Sequence, residues 1–402
     1  MLFDVKVLYN GEEQVWQWGT KSCSVTDNHG IRRNPKTQGW RPAQGFSREE
    51  ADIRGLSIFL GYNCNLNCKY CYQKPYREGY DGAVTSPSQI PEFIERLKEM
   101  AFTQMRNISF WGGEPLVFWK TIQPLTLELE KLYPEVRFSI VTNGTLLTND
   151  MVDFFAEHNF SVNVSCDGFP DDRGYDLLLL KGPELRYLMD KLGDQAIFQA
   201  CVSRGNEDVA PALARFKKML GDDVRVSFSH PVRATDANDP SAELVIEDWR
   251  KFADSLYKTR RENPENWVMT GISDLNRFIR GRSSLADIVR FCGPSSGATV
   301  PLDLKGNTYS CHAGPMKPTG VLEKFRERDF SEFLSEGIVK AHCGECPLYI
   351  ACKAGCPMTT KEGLELSCAG RYGLAFAMFK VAWKDLFDVE VVDITPHIKE
   401  SK

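Results

Sequence analysis

Residues 56–71 of the chain read LSIFLGYNCNLNCKYC, a short apolar run followed at once by three closely spaced cysteines. The apolar run at residues 56–60 has the length of a buried β-strand. Cys64, Cys68 and Cys71 then stand in a C-x3-C-x2-C pattern, so one loop carries three thiols. Three thiolates on a four-iron cube leave one iron without a protein ligand, whereas an electron-transfer ferredoxin cluster takes four cysteines. Structural zinc also takes four ligands, and because no histidine or fourth cysteine lies nearby in the sequence, the pattern favours the open iron–sulfur cluster.

Five more short apolar or β-branched runs follow this first strand, with helical patterns between them. The six predicted strands are Leu56–Leu60, Asn107–Trp111, Arg137–Thr142, Ser161–Cys166, Ile197–Val202 and Val224–Ser229. Residues 90–100 and 149–158 place apolar residues three and four apart, as crossover helices do. Alternating strands and helices are typical of a parallel sheet. Six such units are too few for a closed eight-stranded barrel, so the predicted fold class is α/β, an open partial (β/α)6 TIM-like barrel with its site at the carboxyl ends of the strands.

The sequence predicts four segments. Residues 1–53 form an N-terminal β-hairpin appendage, because Asn10-Gly11 is a turn dipeptide between two extended runs. Residues 54–285 hold the partial barrel and a helical linker. Residues 286–375 form a cysteine-rich domain that would be hard to fold without metal. Residues 376–402 form a C-terminal helix and tail.

Composition narrows the class of protein. The 402 residues carry a net charge of −5, with 49 basic and 54 acidic residues scattered along the chain, so nucleic acid is not an expected partner. There is no run of eighteen apolar residues and no signal-peptide pattern, so we expect no membrane association and a cytoplasmic location. Thirteen cysteines in such a chain indicate metal ligation rather than disulfides. Cys23, Cys166 and Cys201 stand alone in the sequence and are interpreted as buried small hydrophobes.

The three-cysteine loop resembles the signature of the radical S-adenosylmethionine (SAM) superfamily. In that family the amino and carboxylate groups of SAM chelate the open iron, and Tyr70 matches the residue that lies against the adenine. The turn at Gly112-Gly113-Glu114-Pro115 resembles the family's GGEP motif, which accepts from the SAM ammonium group. The resemblance covers roughly residues 54–375. It implies a 5′-deoxyadenosyl radical that abstracts hydrogen from a substrate carbon, with the cofactor supplying the chemistry and the protein the geometry.

Further contacts to SAM are implied by the same resemblance. Residues 142–145 and 165–168 are similar to the corresponding segments of peptide- and protein-modifying members, with Ser165 and Asp167 near the methionyl or ribose moiety. Arg204 stands where such enzymes offer an arginine to the SAM carboxylate, with a surface arginine as the alternative. The full set of expected SAM contacts is Tyr70, Gly112, Gly113, Glu114, Pro115, Thr142, Asn143, Ser165, Asp167 and Arg204.

Seven more cysteines lie near the C-terminus, and their order and spacing resemble the SPASM domain, which holds auxiliary clusters in enzymes that modify peptides and proteins. They are Cys292, Cys311, Cys343, Cys346, Cys352, Cys356 and Cys368. By the family pattern, one cluster takes all four ligands from Cys343, Cys346, Cys352 and Cys368. The other takes Cys292, Cys311 and Cys356, which leaves one iron open or closed by another ligand. The total is three [4Fe-4S] clusters, and a pair of structural zinc sites is the alternative.

The function implied is modification of a ribosomally made peptide by a cross-link, thioether, oxidation or epimerisation, with flavodoxin or ferredoxin as the electron donor. His312 follows Cys311 where sulfatase-maturing relatives have an Asp thought to serve as base. That difference argues against sulfatase maturation. A histidine can still take a proton near neutral pH, so His312 is the candidate catalytic base, with a satisfied surface histidine as the alternative. The alternatives are a SPASM-type dehydrogenase or epimerase of a small metabolite, and a non-enzymatic metal scaffold.

Overall fold

The computed structural model describes residues 2–20, 24–34, 53–77, 85–229, 242–266, 272–280, 298–309, 311, 318–320, 343, 346–352 and 361–395. Cys23, Cys292, His312 and Cys356 lie outside the described residues. Within the described ranges, no helix is both long enough and apolar enough to cross a membrane.

Strands and helices alternate through the middle of the chain. The strands are β1 Leu2–Tyr9, β2 Glu12–Gly19, β3 Ser24–Thr26, β4 Gly55–Phe59, β5 Asn107–Trp111, β6 Arg137–Thr142, β7 Phe160–Ser165, β8 Ala196–Cys201, β9 Val226–Ser229, β10 Thr299–Asp303, β11 Thr308–Tyr309, β12 Pro318–Gly320 and β13 Glu390–Ile394. The helices are α1 Lys74–Arg77, α2 Ile90–Glu99, α3 Trp119–Leu132, α4 Asn149–Glu157, α5 Leu177–Leu180, α6 Gly182–Leu192, α7 Ala210–Leu220, α8 Trp249–Glu262, α9 Ile272–Ile279, α10 Tyr349–Cys352 and α11 Lys361–Phe387.

The larger sheet has the order β12-β11-β10-β4-β5-β6-β7-β8-β9. Strands β4 to β9 are parallel and consecutive, so the six predicted strands and the partial barrel are confirmed, with ends that differ by two residues at most. Phe110, Phe138 and Phe160 stack with one another on one face of this sheet. Phe155 of α4 packs on Phe160 with ring centroids 4.9 Å apart. That face therefore meets the helices, and the opposite face lines the concave interior.

Strand β10 adds a seventh parallel strand that the sequence did not predict. It pairs with β4 in register, from Thr299 opposite Gly55 to Asp303 opposite Phe59. Gly55 permits this contact, because a Cβ there would lie 2.8 Å from the Thr299 Oγ1. Residues 299–303 belong to the segment expected to form a separate cysteine-rich domain, so that segment contributes a strand directly to the barrel sheet.

The N-terminal hairpin is present and joins the other end of the chain. Asn10 and Gly11 both have positive φ, at 52° and 83°, as a tight two-residue hairpin turn requires. Strand β13 pairs with β1, giving a second sheet in the order β13-β1-β2-β3. One face of this sheet packs on α11, where Trp18 meets Phe379 and Trp383. Strand β1 is therefore paired on both sides, and the outer strands of this sheet are β13 and β3.

Candidate functional site

The three-cysteine loop is fixed to the turn that follows β5 by backbone contacts. The amide of Gly113 donates to the Gly61 carbonyl at 2.8 Å, and the amide of Glu114 donates to the Asn63 carbonyl at 2.8 Å. A Cβ at Gly112 would lie 2.6 Å from the Gly61 oxygen, and one at Gly113 would overlap the carbonyl oxygens of the cysteine loop. Both glycines are therefore required by the close approach of two backbone segments.

Two basic residues, Arg77 and Lys69, make further contacts that hold the cysteine loop in place. The guanidinium of Arg77 donates to the carbonyls of Cys64 and Leu66 at 3.1 Å each. Lys69 is tied to the loop after β7, because its amide donates to the Asp172 carbonyl at 2.9 Å and its ammonium lies 3.3 Å from the Asp172 carboxylate. The cysteine loop is thus held by elements that follow β4, β5 and β7.

The three cysteines of this loop are half-buried, and their thiols influence one another electrostatically. Burial raises the pKa of Cys64 and raises that of Cys68 to about 11, and the neighbouring thiols add to both shifts. The charges of Arg77 and Arg173 oppose the shift at Cys64 and Cys68 respectively. Cys64 Sγ also accepts from the Leu66 amide at 3.4 Å. Three clustered sulfurs with cationic and N–H neighbours fit an anionic iron–sulfur cluster. In the described ranges, no three His, Cys, Asp or Glu side chains form a site for a single metal ion.

Glu114 lies at the base of the site, with only 1% of its surface exposed. Its carboxylate accepts from the Leu116 amide at 3.0 Å, the Thr142 hydroxyl at 2.6 Å and the Asn143 amide at 2.6 Å. Burial raises the pKa of Glu114, and these hydrogen bonds oppose the shift. A carboxylate offers about four acceptor positions, so one remains for a cofactor ammonium group. Glu114 therefore joins the ends of β5 and β6, whatever else it binds.

Asp167, Tyr70 and Arg173 form a second buried group at the rim. The Tyr70 hydroxyl donates to the Asp167 carboxylate, and Arg173 donates to both oxygens of the same carboxylate. The Arg173 guanidinium lies 5.4 Å from the centre of the Tyr70 ring. Burial raises the pKa of Tyr70, so the phenol is neutral. Asp167 thus positions Tyr70 beside the cysteine loop, and Ser165 lies half-buried at the end of β7, two residues earlier.

Arg204 lies at the same rim but turns outwards. Its guanidinium forms an exposed ion pair with Glu247 at 2.7 Å, and its amide donates to the Leu244 carbonyl. Arg77 and Arg173, whose charges act on the thiols of Cys64 and Cys68, were not predicted from the sequence. Both lie in loops or short helices without periodicity, where a partner many residues away leaves no sequence signal.

Four C-terminal thiols from separate stretches of chain influence one another electrostatically. The charges of Cys352 and Cys368 act on both Cys343 and Cys346. Burial raises the pKa of Cys343 and Cys346 to about 12. These are the four cysteines expected to share one auxiliary cluster. Cys311 is half-buried just after β11, and its expected co-ligands Cys292 and Cys356 lie outside the described residues.

The N-terminal sheet contacts this second thiol group. The indole of Trp18 donates to the Pro347 carbonyl at 3.0 Å, in the residue that directly follows Cys346. Cys346 and Cys352 also pack against the hydrophobic core. The hairpin therefore contacts the segment that carries Cys346, a contact that the sequence did not predict.

Small polar side chains line the concave face of the barrel sheet on strands β4 to β7. Ser57, Ser109, Ser139 and Ser161 are register partners on the neighbouring strands β4 to β7. Ser57 is 2% exposed, and its hydroxyl has no hydrogen-bond partner within the described part of the chain. Asn163 lies on the same face two residues beyond Ser161. Bulky branched residues usually fill the interior of a (β/α) barrel, so this row of serines leaves room for a polar occupant.

These features define a class of protein: a partial (β/α) barrel with a three-cysteine loop at the carboxyl ends of its strands. Residues 58–191 match the family model for the Radical SAM superfamily, and these residues therefore form a radical SAM domain. Such a domain binds SAM and a [4Fe-4S] cluster. In this chain the three-cysteine loop and the Gly112–Glu114 turn that it contacts are suited to hold them.

Curated relatives extend the likeness over most of the chain. A serine-type anaerobic sulfatase-maturating enzyme of Bacteroides thetaiotaomicron is 23% identical over 363 residues, covering 78% of this chain and 86% of the relative. A radical SAM cyclopropyl synthase of Paramaledivibacter caminithermalis is 32% identical over 129 residues, but that match spans only 27% of the synthase. The solved structure of anSMEcpe with bound AdoMet and Cp18Cys peptide has a TM-score of 0.61 and 18% identity, covering 84% of this chain and 99% of that one. At that identity the structural likeness shows the fold.

Proposed function

We propose that this protein is a radical SAM enzyme that modifies a residue of a peptide and carries two auxiliary [4Fe-4S] clusters besides the SAM-binding one. The observation that carries the proposal is the three-thiol loop locked onto the Gly112–Glu114 turn at the carboxyl edge of the barrel. Both elements lie beside a concave polar interior, where a substrate can face the cofactor.

Each part of the site has a distinct role in this proposal. Cys64, Cys68 and Cys71 hold the cluster, and Glu114 offers its remaining acceptor position to the SAM ammonium group. Tyr70, fixed by Asp167, lies against the adenine. When bound, the cofactors supply one-electron cleavage of SAM and a radical that abstracts hydrogen. The protein contributes orientation and the exclusion of water.

The auxiliary clusters follow from the second thiol group. Cys343, Cys346, Cys352 and Cys368 supply four thiolates, the number that fully ligates a cube. Cys292, Cys311 and Cys356 supply three for another. Flavodoxin or ferredoxin is the proposed electron donor. A cytoplasmic location suits a protein with this many cluster-binding cysteines, because thiols stay reduced in the cytoplasm.

A peptide is the proposed substrate. The relatives that align with most of this chain are named for maturing sulfatases, which are proteins. The concave face offers hydroxyl and amide groups at Ser109, Ser139, Ser161 and Asn163 rather than charges. Neutral donors and acceptors suit the backbone amides of an extended peptide. Because His312 replaces the Asp expected of sulfatase-maturing enzymes, the proposed modification is one other than sulfatase maturation.

The test uses anaerobically reconstituted full-length enzyme with SAM and a reductant. It is incubated with peptides encoded near its gene, and with serine- and cysteine-containing sulfatase peptides, each deuterated at side-chain and α carbons. Deuterium in the 5′-deoxyadenosine together with a mass change in a peptide supports the proposal. Conversion of a sulfatase peptide moves the assignment to sulfatase maturation. Deuterium transfer only from a small metabolite moves it to a metabolite dehydrogenase or epimerase.

A further inference from the structure

The sulfur of Cys64 has two N–H neighbours. The Leu66 amide donates to it at 3.4 Å, and the side-chain amide of Asn143 donates to it at 3.9 Å. Within the described residues, no comparable donor to the sulfurs of Cys68 or Cys71 is found. The hydrogen bonding of the three thiols is therefore asymmetric, and one of the two donors to Cys64 comes from a different strand end, after β6.

A closed ring of hydrogen bonds fixes the orientation of Asn143. The amide and hydroxyl of Thr145 both donate to Asn143 Oδ1, at 3.0 and 2.6 Å. Asn143 Nδ2 donates to Asn65 Oδ1 at 2.9 Å, and Asn65 Nδ2 donates to Thr145 Oγ1 at 2.7 Å. Because a backbone N–H can only donate, the Thr145 amide identifies Oδ1 as the oxygen and Nδ2 as the atom that faces the sulfur.

Asn143 is 8% exposed, so its amide is shielded from competing water. A side-chain amide has two N–H groups. One is taken by Asn65, which leaves the other for Cys64. The side chains of Asn65 and Thr145, one from each of the two loops, therefore hold this N–H of Asn143 towards Cys64.

We propose that Asn143 tunes the SAM-binding cluster by donating an N–H···S hydrogen bond to Cys64. Reduction adds negative charge to the cluster and its thiolates, and a hydrogen bond to sulfur stabilises that charge. Asn143 therefore raises the reduction potential of the cluster and makes it easier for the donor protein to reduce. The inference rests on the proposed function in one respect, that Cys64 ligates the SAM-binding cluster.

The experiment is a redox titration of full-length, anaerobically reconstituted protein. Samples are poised without SAM and divided, and SAM is added to one half, so that the electron paramagnetic resonance signal that changes with SAM reports the relevant cluster. Asn143→Asp keeps the acceptor for Thr145 and removes both N–H groups, while Asn143→Ala removes them without adding charge. Thr145→Val is the matched control, because it removes a hydroxyl from the same ring and leaves the amide beside Cys64.

We expect both Asn143 variants to shift the midpoint potential to more negative values. Thr145→Val should shift it less than Asn143→Ala does, because the Thr145 amide still holds Asn143 Oδ1 and the N–H beside Cys64 is kept. The iron content of each variant shows whether it still holds its clusters. If Asn143→Asp loses iron, the midpoint potential of Asn143→Ala alone tests the inference. An unchanged potential in Asn143→Ala, or an equal shift in Thr145→Val, would overturn the inference. Wild-type protein without a SAM-sensitive signal would instead overturn the proposed function.

Discussion

Arg173 and Asp167 form a bidentate salt bridge beside the cysteine loop, with Nε to Oδ2 at 2.9 Å and Nη2 to Oδ1 at 3.0 Å. Both side chains are close to nine-tenths buried, with 12% and 11% of their surface exposed. The same carboxylate accepts from the Tyr70 hydroxyl and from the Cys201 amide. One loop residue, Arg173, thus balances the charge of the group that positions Tyr70.

Arg173→Gln should weaken SAM binding and destabilise the fold. Removing one partner of a buried ion pair leaves the other charge uncompensated, which costs about 3–5 kcal/mol. Arg204→Gln is the matched control, since its pair with Glu247 is exposed and worth about 1 kcal/mol or less. Isothermal titration with SAM and thermal unfolding measure both effects. A larger loss of SAM affinity in Arg204→Gln than in Arg173→Gln would contradict this prediction and support Arg204 as the partner of the SAM carboxylate.

Glu114→Ala should reduce both stability and SAM affinity, because it leaves three donors without their acceptor. A hydrogen bond to a charged group contributes about 1.5–3 kcal/mol. Glu114→Gln keeps one oxygen and should lose less than Glu114→Ala in thermal unfolding. If SAM affinity in Glu114→Ala stays within about twofold of wild type, corresponding to less than 1 kcal/mol, Glu114 serves the fold alone.

Gly113→Ala should prevent the cysteine loop from seating on the turn after β5, because the new Cβ overlaps the carbonyl oxygens of Tyr62 and Asn63. The expected result is loss of about four irons per chain, the content of one cube. Gly182→Ala is the control, since a Cβ at that position meets nothing within 4 Å. Iron analysis after reconstitution compares the two, and equal iron in both variants would contradict the prediction.

Wild-type protein reconstituted without oxygen should hold about twelve irons, or three cubes of four. Alanine at Cys64, Cys68 and Cys71 should remove about four of these and abolish SAM cleavage. Alanine at Cys343, Cys346, Cys352 and Cys368 should remove about four others and leave some uncoupled cleavage. Cys166→Ala is the control, because that thiol is buried and isolated, and it should keep all the iron. Stoichiometric zinc with little iron in the wild type would refute the cluster assignment.

Trp18→Phe should loosen the auxiliary site and leave the SAM site intact. The substitution keeps an aromatic ring against Phe379 and Trp383 but removes the hydrogen bond to the Pro347 carbonyl, worth about 1 kcal/mol. Iron should therefore leave the auxiliary clusters faster in the presence of a chelator, while SAM cleavage by the first cluster is retained. Chelation kinetics identical to wild type would show that the hairpin does not support the auxiliary cysteines.

Several features of the protein could be predicted because their signals are local. Apolar runs of strand length separated by helical periodicity are enough to predict β4 to β9, since each strand's pattern reflects its own burial. The three-cysteine loop and the Gly112–Glu114 turn are contiguous motifs. Their meeting at one edge follows from parallel topology, because the carboxyl ends of neighbouring parallel strands lie together.

The partners of those residues could not be predicted in the same way. Strand β10 lies in a short run containing Pro301, and only its pairing with β4 makes it a strand. The hairpin was expected to stand apart, but β13 and α11 pair with it and pack on it from the far end of the chain.

The sequence by itself determined the six strands β4 to β9, the cysteine pattern and the class of chemistry, because these depend on residues close together in the chain. Only the tertiary structure decided that Arg173 rather than Arg204 faces the thiols, that three donors already occupy Glu114, and that Asn143 points at Cys64. Each of these depends on the direction of a side chain across a gap between loops. That direction is set by packing and by competition for hydrogen-bond partners, neither of which has a periodic signature in the sequence.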